Sequence, residues 1–227
     1  MSCPSCLTGG TSTTQPTGTT STIHGLPTYV ASPLSGDPPK AVIVLITDAF
    51  GWEFVNNRVL ADRFAERGGF LVYVPDFMNG KAMSPAAITL MDNLTTPAPS
   101  WLSAIVNKPI WLADCIFTAH PSYITLPSEA SNLTIPTSVI VGSSDTVLKH
   151  PQALEMQRIL ERKGGEAGGV ECEMVILEGA KHGFAIRTHP DDEVEMEMAL
   201  RAEDQALAWF GKWLIDGSGA DTNGVEG

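Results

Sequence analysis

Apolar and polar stretches along the chain read as strands and helices in turn. Ala41–Ile46 is an unbroken apolar run, the pattern of a strand buried on both faces. Asn56 and Asn57 then offer caps for a helix reaching Arg67. Val55, Val59, Leu60 and Phe64 recur along it at helical steps, and Gly68–Gly69 ends it. Phe70–Val74 is a second buried strand, closed by Pro75. Ile116–Ala119 and Ser138–Val141 are two more. Pro151 opens a helix to Lys163, which Gly164–Gly165 closes. Cys172–Leu177 is a strand, and a long helix follows from Asp192 to Ile215. Its stripe of Ala199, Ala202, Ala206, Trp209, Phe210 and Trp213 is expected to face the core, leaving Glu193, Glu195 and Glu197 in water. Strands alternating with helices predict an α/β fold: a mostly parallel sheet with helices on both faces.

Three segments break the rhythm. Residues 8–22 are mostly Thr and Ser and read as a flexible or edge segment. Residues 76–113, rich in Pro, Met and Asn, read as a lid. The Gly- and Asp-rich tail of residues 216–227 is expected to be disordered. The expectation is one domain over residues 1–215.

Composition narrows the classes. The chain of 227 residues is 43% hydrophobic and 18% charged, a globular balance, and its net charge of −12 is acidic. Gripping phosphate backbones needs clustered cations, so no nucleic-acid partner is expected. The same charge disfavours anionic membrane. No apolar run approaches the roughly 20 residues of a spanning helix, and no apolar segment follows Met1. A cytoplasmic location is the expectation. Four cysteines are too few for a disulfide framework, and Cys3 and Cys6 have no second pair with which to hold a metal. Cys115 and Cys172 read as small core hydrophobes.

In a parallel α/β sheet, ligands bind beyond the carboxyl ends of the strands. Four polar residues directly follow predicted strands: Asp48, His120, Asp145 and His182. An acid after one strand and a histidine after the next is the order of two members of a nucleophile, Asp, His triad. Asp145 would orient the imidazole of His182, and the imidazole would move protons. Either alone is an ordinary turn residue; together they point to catalysis. His120, before Pro121, reads as structural. Asp48 opens a loop where the Ala49 backbone N–H could face a developing charge.

The chain also resembles the dienelactone hydrolases of the α/β-hydrolase superfamily, in their fungal form. The resemblance rests on Met-Ser-Cys-Pro-Ser-Cys at the start, on Ile23-His24-Gly25-Leu26-Pro27-Thr28-Tyr29, and on Asp48-Ala49-Phe50-Gly51 with Asn57-Arg58 and Ala61-Asp62. It continues through Pro75-Asp76-Phe77, Ala119-His120-Pro121-Ser122, Gly142-Ser143-Ser144-Asp145 and the run from Lys181 to Arg187. It implies an ester or lactone hydrolase without metal or organic cofactor, acting on a small molecule, with a role in secondary metabolism. By resemblance Asp145 and His182 are the triad acid and base. Asp48 matches an acid beside the family's nucleophile, and Arg187 approximates an arginine that holds a substrate carboxylate.

One motif of that family is missing. Its nucleophilic cysteine sits on a Gly-x-Cys-x-Gly elbow, and neither that pattern nor Gly-x-Ser-x-Gly occurs here. The expected fold is therefore shortened in the centre. Cys115 begins its strand, at the wrong end of the sheet. Ser143 and Ser144 are at the correct end but adjoin Asp145, and Ser122 is a third candidate, so the sequence names no nucleophile. Two alternatives to a hydrolase stay open: a non-catalytic ligand-binding or scaffold relative, or an acid/base isomerase using His182.

Overall fold

The computed structural model describes residues 9–82, 113–166 and 168–216, over which strands and helices alternate in an α/β arrangement. These residues fall into two units, 9–82 with 186–196 and 113–185 with 197–216.

In the first unit a four-stranded sheet has the order β1-β2-β4-β3. Its strands are β1 (Thr19–Ile23), β2 (Leu26–Ala31), β3 (Val42–Val44) and β4 (Leu71–Pro75). β1 and β2 form an antiparallel hairpin, β2 pairs antiparallel with β4, and β3 runs parallel to β4. Helix α1 (Val55–Gly68) crosses between β3 and β4 and buries Val59, Ala61, Phe64 and Ala65. Gly69 ends it in the left-handed conformation at φ 74°, its N–H donating to the Ala65 carbonyl.

The Thr-rich segment forms β1 at the edge of this sheet, the edge alternative of its reading, because β-branched threonines suit a strand paired along one side. Two other expectations change here. Ala41–Ile46 is not a strand buried on both faces. Only Val42–Val44 pairs, and Val42 and Val44 are each 53% exposed while Ile43 is buried. Among the described residues β3 has β4 as its one strand neighbour, and a continuous apolar run cannot distinguish an edge strand from a central one. Nor do Asn56 and Asn57 cap α1. Phe54 occupies the cap position without a side-chain bond, and both asparagines lie buried in the first turn. Asn56 Nδ2 donates to the carbonyls of Gly10 and Ile186, and Asn57 Nδ2 donates to that of Gly51. Asparagine can satisfy backbone far away in sequence, and here that use wins.

Tyr29 locks this unit. Its buried hydroxyl donates to Asp62 Oδ1 at 2.6 Å and accepts the Gly18 N–H at 2.6 Å. Burial, then the Asp62 carboxylate, push the phenol well above its ordinary value. The folded state thus holds this proton after the unfolded chain has lost it. The stabilisation is whole below the ordinary phenol pKa of about 10 and is lost as pH rises beyond it. Tyr29→Phe should lower stability by about 1–2 kcal/mol at neutral pH and flatten the decline above about pH 10. Urea melts at both pH values check this, and identical alkaline declines in parent and variant would refute it.

In the second unit β5 (Ile116–Ala119), β6 (Thr137–Gly142) and β7 (Cys172–Leu177) form a parallel sheet in that order. β6 is buried along its whole length. Alternate side chains of a strand face opposite ways, and each face has its own cover. Val139 and Val141 join Ala130 of α2 (Ser128–Ser131) and Ala153, Met156 and Leu160 of α3 (His150–Gly165). Ile140 joins Leu177, Ala180, Phe184 and Ala202 of α4 (Glu193–Leu214). Helices therefore cover both faces, as predicted. Along α4, Ala202, Ala206, Trp209 and Phe210 are buried, Ala199 and Trp213 are half-buried, and Glu193 and Glu197 are exposed. Glu195 departs from its expected exposure: it is half-buried, and hydrogen bonds from His189 lower its pKa although burial raises it.

Of the expected lid, residues 76–82 form a turn in which the Asp76 carboxylate accepts the N–H groups of Met78 and Gly80. The rest of that segment that falls in 83–112 lies outside the described residues, as do Cys3, Cys6 and the tail from 217. No described helix is long and apolar enough to cross a membrane.

Candidate active site

The loops that follow β6 and β7 are stitched together backbone to backbone. The Ser143 N–H donates to the Leu177 carbonyl at 2.9 Å and the Ser144 N–H to that of Ala180 at 3.0 Å. Gly179 N–H donates to Ser143 Oγ at 2.9 Å, so that hydroxyl serves the loop. The approach requires glycine at position 142, where a Cβ would stand 1.9 Å from the Ala180 carbonyl oxygen. This stitching puts the acid after β6 opposite the histidine after β7.

Asp145 and His182 meet as the sequence order predicts. His182 Nδ1 lies 2.9 Å from Asp145 Oδ2, while Oδ1 accepts the N–H groups of Val147 at 2.7 Å and Leu148 at 3.1 Å. The Asp145 side chain is fully buried and that of His182 is 9% exposed. A carboxylate only accepts, so Nδ1 carries the proton and Nε2 of the neutral ring presents a lone pair.

That lone pair has a neighbour, Ser122 Oγ, at 3.2 Å. With Nε2 as acceptor, the hydroxyl is the donor. Ser122 follows β5 in a half-buried position between two residues with left-handed backbone, His120 at φ 39° and Tyr123 at φ 57°. His120 does more than end a strand. Its ring meets that of His182 edge-on at 5.0 Å, and that of Phe184 at 5.9 Å, so it walls the imidazole. The sequence signal for both residues is the His-Pro-Ser run directly after β5.

Cys115 precedes β5, at the amino end of the strand, and burial followed by the Asp114 charge push its thiol up to about 12. Burial raises the Cys172 thiol as well. Neither supplies a thiolate near neutral pH.

In the other unit the structure joins Asp48 and Arg187. Arg187 Nη1 donates to Asp48 Oδ2 at 2.7 Å, with the arginine side chain 4% and the aspartate 19% exposed. Asp48 Oδ1 accepts the Phe50 N–H at 3.2 Å and Asn57 Nδ2 at 3.5 Å, and the guanidinium lies over the Phe50 ring. Ala49 is exposed in the loop between Asp48 and Phe50. Among the described residues no group of three or more His, Cys, Asp or Glu is placed to hold a metal ion.

Comparisons with known proteins agree with this architecture. The family model described as "Dienelactone hydrolase family" matches residues 26–116. The chain is 24% identical to "Hydrolase pyvD" of Aspergillus violaceofuscus, covering 92% of this chain and 96% of that protein. It is 28% identical to the mouse "Carboxymethylenebutenolidase homolog", over 78% of this chain and 84% of the other. Among solved structures, a putative dienelactone hydrolase from Klebsiella pneumoniae superposes with a TM-score of 0.59 at 20% identity. It covers 87% of this chain and 99% of its own, a likeness of fold. With the α/β fold, the strand-end acid and histidine and these matches together, the chain is similar to the dienelactone hydrolase family, whose model it matches over residues 26–116.

Proposed function

We propose that this chain hydrolyses an ester or lactone bond in a small acidic or phenolic molecule, with His182 as general base and Asp145 as the group that orients it. The observation that carries this reading is the buried 2.9 Å bond between His182 Nδ1 and Asp145 Oδ2, which leaves Nε2 to take a proton. In the reaction Nε2 accepts the proton of the attacking hydroxyl. Asp145 stabilises the imidazolium, which then protonates the departing alkoxide. Asp48, Ala49 and Arg187 are the substrate-binding residues of this reading. Within their own unit, Arg187 carries a positive charge suited to a carboxylate and Ala49 lies exposed in the loop beside it. A step in secondary metabolism belongs to this reading, supported by the fungal-type motifs, and turnover should fall below that of relatives carrying the elbow.

The test is release of nitrophenol from p-nitrophenyl acetate, beside opening of a carboxylate-bearing lactone. Saturable turnover, with the acidic substrate preferred, is the expected result. A rate no higher than that of heat-inactivated protein would favour the second reading, a binding relative that has lost turnover. The absence of Gly-x-Cys-x-Gly is what speaks for that alternative.

A further inference from the structure

We propose that Ser122 is the covalent nucleophile of this chain, replacing the cysteine that the missing elbow would have carried; the assignment rests on the hydrolase reading above. Three observations converge on it. Ser122 Oγ lies 3.2 Å from His182 Nε2, and His182 Nδ1 lies 2.9 Å from Asp145 Oδ2, so hydroxyl, imidazole and carboxylate stand in the sequence of a catalytic triad. The hydroxyl also comes from the correct end of the sheet, since Ser122 follows β5 as Asp145 follows β6 and His182 follows β7. Finally, the loop presenting it is strained. His120 and Tyr123 both hold left-handed φ values, 39° and 57°, that side chains with a Cβ rarely adopt. Strain on both sides of one serine is the device by which a tight turn projects a nucleophile.

Among the described residues, two competing groups are engaged or misplaced. Ser143 Oγ accepts the Gly179 N–H, and Cys115 lies at the amino end of β5. Ser122 is half-buried.

The chemistry closes without any further reactant than water. Ser122 Oγ bonds to the carbonyl carbon while its proton passes to His182 Nε2. The tetrahedral intermediate collapses, the bond to the leaving oxygen breaks, and Nε2–H protonates that oxygen. Water then gives a proton to Nε2 and attacks the acyl carbon. Collapse of the second intermediate frees the acid and returns the proton to Ser122.

The experiment is reaction of the full chain with a fluorophosphonate, followed by peptide mass mapping, together with p-nitrophenyl acetate kinetics of Ser122→Ala and Ser122→Cys. A single adduct on Ser122, lost in His182→Ala, is expected. Ser122→Ala should lower kcat by at least about a thousandfold. Ser122→Cys should keep His182-dependent turnover and become sensitive to iodoacetamide where the parent is not. An adduct on another residue, or Ser122→Ala as active as the parent, would overturn the assignment while leaving the hydrolase reading in place. A parent chain with neither adduct nor turnover would overturn both.

Discussion

His182→Ala should lower kcat/KM for an aryl ester by about 10⁴–10⁶, and Asp145→Asn by about 10⁴. The reason is geometric. Asp145 Oδ2 fixes the proton on Nδ1 of His182, and only that tautomer leaves Nε2 free to act as a base. An amide at position 145 can offer the imidazole an N–H instead, favouring the wrong tautomer without moving the ring. Groups acting as a unit lose their effect together. The double variant should therefore be no worse than His182→Ala, and losses that multiply would break the dyad. The fall should appear in kcat rather than KM, since neither group is assigned to ground-state binding. Asp145→Asn also weakens charge-assisted bonds from the Val147 and Leu148 N–H groups, at about 1–3 kcal/mol. A urea melt of each variant separates that loss from the catalytic one.

The parts of the molecule that could be read from sequence are those set by short-range pattern. β5 and β7 fall where their apolar runs and flanking residues put them, and α3 and α4 end within two residues of their Gly and Asp signals. Asp145 and His182 were legible because a parallel sheet turns strand ends into site positions. What escaped depends on partners distant in sequence. The apolar run at Ala41–Ile46 says nothing of whether a strand lies on each side. The buried asparagines of α1 bond to Gly10, Gly51 and Ile186, which no helical period reveals. Ser122 ranked behind other hydroxyls because its claim rests on two backbone torsions and on the approach of the β5 and β7 loops. The wall that His120 builds against His182 has the same origin.

The second large effect concerns stability. Asp48→Ala should cost about 3 kcal/mol, because it removes the carboxylate facing a guanidinium that is only 4% exposed. Gly9 packs against the base of Arg187, where an added Cβ would stand 2.4 Å from the arginine's own Cβ. Arg187→Met keeps the contact over Phe50 and leaves the more exposed partner, Asp48, within reach of solvent. Its cost should be the smaller, about 1–2 kcal/mol. The double variant should recover part of the Asp48→Ala loss, since the buried guanidinium then goes together with the carboxylate that faces it, and the coupling should be at least about 1 kcal/mol. Urea melts of the three variants read all of this. Losses that simply add, or an Asp48→Ala melt matching the parent, would mean that the two side chains sit together without holding the fold. In that case an acidic substrate could compete for Arg187 without loosening the unit that carries it.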